Sequence, residues 1–135
     1  PPNSVEPGAM ERGMLLGSPT VVGVMSVETA DKGLKPALGA MQACYFKELS
    51  AFSDLSGRIM LRITVAPDGS LMRVKVASNS LESEKGVPPA QEGQPLVGGP
   101  AVEACIISKA EGISYDPIGA GNTAIVQYPI LFSPG

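Results

Sequence analysis

The chain has 135 residues, of which 44% are apolar and 17% charged, and its net charge is −3. That length builds one domain with its own core and is too short for two ordinary ones. A mild acidic excess, with ten scattered Lys and Arg and few aromatic residues, excludes a nucleic-acid-binding role; the lack of histidine excludes His-built zinc sites and the usual base for a nucleophilic Ser or Cys.

Residues 1–19, PPNSVEPGAMERGMLLGSP, contain four prolines and no period, and read as a linker or loosely ordered arm. The domain then runs over 20–135. The chain opens on Pro-Pro, so it reads as a piece of something longer. TVVGVMSVE (20–28) is rich in β-branched residues and predicts a short additional N-terminal strand.

Leu34, Leu38, Met41, Tyr45 and Leu49 recur at spacings of four, three, four and four, one face of an amphipathic helix. Proline lacks an amide hydrogen and clashes with the carbonyl four residues back. The helix is therefore expected to begin close to Pro36, with that residue in its first turn.

Residues 55–78, LSGRIMLRITVAPDGSLMRVKVAS, predict a hairpin. Ile59, Leu61, Ile63 and Val65 alternate with Arg58, Met60, Arg62 and Thr64. After the turn, Met72, Val74 and Val76 alternate with Arg73, Lys75 and Ala77. One sheet face is thus apolar and the other largely charged. Pro67 presets φ for the turn and Gly69 supplies the positive φ that closes it.

Residues 79–100 form a long Pro- and Gly-rich loop. Pro100 opens a second helix through AVEACIISKAEG, with Val102, Cys105, Ile106 and Lys109 along one face and Gly112 as its stop. The last strand is NTAIVQYPILFS (122–133). Ala124, Val126, Tyr128, Ile130 and Phe132 take the core face; Ile125, Gln127, Pro129 and Leu131 take the other. Proline donates nothing to a ladder, so this strand is expected to keep a free edge near Pro129.

The order strand–helix–strand–strand–helix–strand predicts an α+β fold. The hairpin strands and the last strand make a three-stranded antiparallel sheet of order 2-1-3, with two helices on its apolar face. Cys44 and Cys105 each fall on the inward side of a helix. They read either as two buried thiols or as a structural disulfide. No catalytic constellation, metal site or cofactor loop emerges. GAGN (119–122) precedes a strand rather than opening a helix, and Glu103 and Glu111 share one short helix without a cleft. The chain is expected not to be an enzyme.

Several pieces in order carry a resemblance: Cys44-Tyr45, Leu55-Ser56-Gly57-Arg58, Asp68-Gly69-Ser70, Val102-Glu103-Ala104-Cys105 and Tyr128-Pro129. Over residues 34–134 the chain resembles the AgmX/PglI C-terminal domain family. That is a TonB-C-like domain of delta-proteobacterial envelope and gliding-motility proteins. It departs from that pattern by about fifteen extra residues near 83–98 and by a first helix with little positive charge.

The resemblance implies a periplasmic, non-enzymatic domain of a membrane-anchored protein. Such a domain would couple an energy-transducing inner-membrane machine to another envelope component. It implies a disulfide between Cys44 and Cys105. It also implies a protein partner in the outer membrane or periplasm, taken up by strand addition or by surface docking. The edge residues would be Ala124, Ile125, Val126, Gln127, Tyr128, Ile130 and Leu131. Arg58, Arg62, Arg73 and Lys75 are candidate contacts on the polar sheet face. The alternative is a homo-oligomerisation domain of an envelope assembly.

Overall fold

The computed structural model describes residues 10, 11, 13–89 and 91–134. In chain order the elements are β1 (Met10–Glu11), β2 (Met14–Leu16), β3 (Thr20–Gly23), α1 (Val27–Leu34), α2 (Leu38–Leu49), β4 (Gly57–Val65), β5 (Leu71–Asn79), α3 (Gly99–Ala110) and β6 (Ala124–Phe132). A single 3-10 turn, Lys35–Ala37, joins α1 to α2.

The fold is α+β, with an open, wholly antiparallel sheet of order β1-β2-β6-β4-β5. Strand β3 also pairs with β6, on the side that β2 occupies. The sheet therefore has six strands where the sequence predicted three and a short additional N-terminal one. The added strands come from the N-terminal region. Residues 14–16, expected in an arm, form β2, while most of residues 1–12 lie outside the described residues.

The segment 20–28 is not one strand. It ends at Gly23, and Ser26 then starts a helix that the sequence reading did not contain. The Ser26 hydroxyl accepts the Thr29 amide at 3.0 Å, satisfying one of the unpaired donors of the first turn. Glu28 stands in that turn, where the helix dipole favours a negative charge. Pro36 follows α1 in the 3-10 turn, so the chain passes from one helix to the next without a proline inside either.

The hairpin lies where the alternation placed it, with β4 between β5 and β6. Ile59, Leu61, Ile63 and Val65 are all fully buried. They stand opposite Ile130, Tyr128, Val126 and Ala124 of β6. Ala30 and Leu34 of α1, Met41 and Tyr45 of α2, and Val102 and Ile106 of α3 complete one continuous core on that face. Burying such a side chain stabilises the fold by about 1.5–3 kcal/mol.

Strand β5 departs from strict alternation. Val65 pairs with Leu71 while Thr64 pairs with Arg73, so Met72 is an extra residue bulged out of the ladder. Leu71, not Met72, packs against the core, and Met72 is 62% exposed. A second shift leaves Ala77 without a partner.

The turn tip also anchors the segment before β6. Gly69, at φ +90°, donates to Ala66 O (2.9 Å) and accepts from the Tyr115 amide (3.0 Å). Pro67 O accepts from the Ile118 amide at 2.9 Å. The irregular stretch between β5 and α3 is pinned at both ends. Near its start, the Asp54 carboxylate accepts from Ser83 Oγ and from the Glu84 amide (2.8 Å). At its end, the buried Glu48 carboxylate accepts from the Gly98 amide at 2.7 Å, just ahead of α3.

Candidate functional site

Three features were candidates for function: the cysteine pair, the edge of the last strand, and the polar sheet face. Cys44 of α2 and Cys105 of α3 are joined, their Cα atoms 5.7 Å apart across 61 positions. One helical turn along α2, Glu48 holds the chain leading into α3. The two contacts fix α2 against α3 covalently and through a charge-assisted hydrogen bond.

The last strand has no free edge along its length. Strand β4 pairs with all of it, from Ala124 to Phe132. On the opposite side, β3 pairs with Ala124, Ile125, Val126 and Gln127, and β2 with Ile130, Leu131 and Phe132. The expectation that Ala124, Ile125, Val126, Gln127, Tyr128, Ile130 and Leu131 form an open docking edge is therefore corrected. The chain's own N-terminal strands occupy that position.

Proline's rule is met in another way. Gly17 donates to Pro129 O at 2.8 Å, so the side of Pro129 that lacks an N–H faces the break between β2 and β3. No ladder donor is required there. Gly17 sits so close that a Cβ would lie 2.8 Å from Pro129 Cγ.

Tyr128 points into the core. Its hydroxyl donates to Ala30 O of α1 and lies 3.1 Å from the Tyr115 hydroxyl. Burial pushes the ionisation of both phenols up. Beside them is a residue that the sequence did not single out. Asp31 Oδ1 is buried without a hydrogen-bond partner among the described residues. Burial, reinforced by Glu28, raises the Asp31 pKa above its ordinary 3.8. The sequence around Asp31 carries no signal that a carboxylate would lie near the tyrosine pair.

The polar face is brought together as a surface. Arg58, Arg62, Arg73 and Lys75 all project from the side of the sheet opposite the helices. The register sets Arg62 against Lys75 and Thr64 against Arg73. Arg62 Nε donates to Gln127 Oε1 of β6 at 3.1 Å. Next to this cationic half lies an apolar half on β3 and β6: Val22 (62% exposed) pairs with Ile125, and Leu131 is 47% exposed. None of the described elements packs over this side; the core holds α1, α2 and α3 on the other.

Among the described residues, no group of three or more Asp, Glu or Cys is placed to hold a metal ion, and no helix is long and apolar enough to cross a membrane. Comparison with known proteins finds no matching family model, no matching curated protein and no matching solved structure.

Proposed function

We propose that this chain is a non-enzymatic protein-interaction domain of the cell envelope that works in the periplasm and docks its partner on the open sheet face. In this reading it is a domain of the AgmX/PglI type, linking an inner-membrane-anchored machine to another envelope component. Two observations support it. The Cys44–Cys105 disulfide is consistent with an extracytoplasmic location. The observation that carries the docking mode is the one-sided cover: three helices on one face, with a bare second face divided into apolar and cationic halves.

Strand addition to β6 has no place in this reading, because β2 and β3 fill that position. Self-pairing through β5 is opposed by its two bulges and by Arg73 and Lys75, devices that blunt an edge.

The test is site-specific photo-crosslinking in the intact parent protein in its native envelope. A photoreactive residue at Thr64 or Ser78, on the open face, is expected to give adducts with another protein. The same residue at Ala43 or Ser108, on the helix side, is expected to give none. Adducts from the helix side alone would overturn the reading.

A further inference from the structure

The composition of the sheet is more uneven than the chain as a whole. Strands β2 to β6 contain no Asp and no Glu, and their only charged residues are Arg58, Arg62, Arg73 and Lys75. All four stand on the open face. Taking these four positive charges from a net −3 leaves −7 on the rest of the chain. The molecule is thus polarised, with one cationic face on an acidic body.

The arrangement has a cost. Arg62 and Lys75 are directly opposed across β4 and β5, and like charges in that position destabilise a sheet. Among the described residues no carboxylate forms an ion pair with any of the four. Gln127 orients the Arg62 guanidinium but does not neutralise it. The nearest acid along the ladder is Glu82, whose backbone pairs with Ser56 beyond the end of β4. An external row of carboxylates would relieve the repulsion.

The apolar half sets the second requirement. Ile125 and Leu131 of β6 lie beside the β4 cations, two strand spacings from β5, and Val22 of β3 lies one spacing further out. Two spacings are about 9.6 Å, close to the roughly 10 Å width of an α-helix. Residues two apart on a strand lie about 6.8 Å apart, near the roughly 6 Å rise of four helical residues.

Resting on the docking reading above, we infer that the partner presents an acidic amphipathic helix, laid along the strands. Its carboxylates lie over Arg58, Arg62, Arg73 and Lys75, and its apolar stripe lies over Ile125 and Leu131, with Val22 at its outer edge.

The experiment titrates the isotope-labelled chain with a synthetic 18-residue helical peptide bearing Glu on one stripe and Leu on the next. Controls are the same peptide with Lys for Glu, and vesicles containing phosphatidylglycerol. The acidic peptide is expected to shift amides in β4, β5 and β6. Its affinity is expected to fall at least tenfold between low and moderate salt. The triple variant Arg58→Glu, Arg73→Glu, Lys75→Glu is expected to bind at least tenfold more weakly. If that variant fails to fold, the pair Ile125→Ser and Leu131→Ser serves instead, with the same expected direction.

Equal binding of the Lys peptide, undiminished binding by the folded variants, binding to vesicles but not to the peptide, or self-association through this face would each overturn the inference. Crosslinks from Thr64 that map to a basic or neutral partner segment would overturn it while leaving the docking reading standing. Absence of crosslinks from the open face would remove the docking reading itself.

Discussion

Gly17 and Pro129 meet across the sheet. The Gly17 amide donates to the Pro129 carbonyl at 2.8 Å, and the lack of a side chain on Gly17 lets the proline ring lie against it. This contact lets two short N-terminal strands serve as the second neighbour of β6. It follows that Gly17→Val forces the strands apart, because its Cβ would meet Pro129 Cγ at 2.8 Å and Pro129 O at 3.3 Å. The expected loss is about 1–3 kcal/mol. Urea unfolding measures it, and amide exchange should localise the opening to β2 and the C-terminal half of β6.

The disulfide closes a long loop in the unfolded chain, across 61 positions. Replacing Cys44 and Cys105 with Ser is expected to cost about 3–4 kcal/mol, most of it through the unfolded ensemble. Calorimetry of the oxidised, reduced and doubly substituted proteins should place the last two together and well below the first.

Gly69→Ala is expected to destabilise by at least about 2 kcal/mol. Its φ is +90°, and a Cβ would fall 2.0 Å from the Tyr115 carbonyl oxygen, so backbone must move. Near-ultraviolet circular dichroism of the tyrosines would report the same displacement as a loss of signal.

Asp31 gives a pH dependence with a definite sign. Burial raises its folded pKa above the 3.8 of the unfolded chain, so the native state holds this proton more tightly. Its contribution is therefore most favourable below about 3.8 and is lost as pH rises through the folded value. Asp31→Asn is expected to be more stable than the parent at pH 7, with the difference vanishing near pH 3. Thermal melts of the two proteins across that range make the comparison.

Asp54 has the opposite sign. Hydrogen bonds from Ser83 and then Glu84 hold its pKa below the ordinary value, so its stabilisation is present above about 3.8 and is lost as pH falls through the folded value. Asp54→Ala is expected to release the start of the 80–98 stretch and speed tryptic cleavage at Lys85, with little change in the global unfolding midpoint.

How far the sequence announced these features depends on the length of the pattern. The β4–β5 hairpin was legible because residues 58–65 and 72–77 alternate on either side of a strong turn. Helix α3 was legible because Pro100 and Gly112 bracket it. Helix α1 was missed because Val27, Thr29 and Gly33 are poor helix formers; its signal was Ser26 as the cap with Glu28 in the first turn. Strand β2 has only three residues, too few to show a period. Its identity depends on β6 offering a second edge, a tertiary fact that no local pattern contains. The bulge at Met72 was hidden because Met72, Val74 and Val76 alternate without fault in the sequence. The five-residue connection from Ala66 to Ser70 set the register instead. The open face was foreshadowed by Arg58, Arg62, Arg73 and Lys75. Its apolar half reads in the sequence as a docking edge, through Ile125 and Leu131, and as a short N-terminal strand, through Val22.

The pairing of β2 with β6 also sets how the domain answers tension. Met14 lies against Phe132, and Gly13 O accepts the Ser133 amide at 3.0 Å, so Gly13 and Ser133 share one corner of the sheet. A pull between these two points loads the rungs of that ladder one after another, as a zipper is opened, rather than all together. The N-terminal strands would peel away first, while the disulfide-tied helices and the β4–β5 hairpin stayed outside the loaded path.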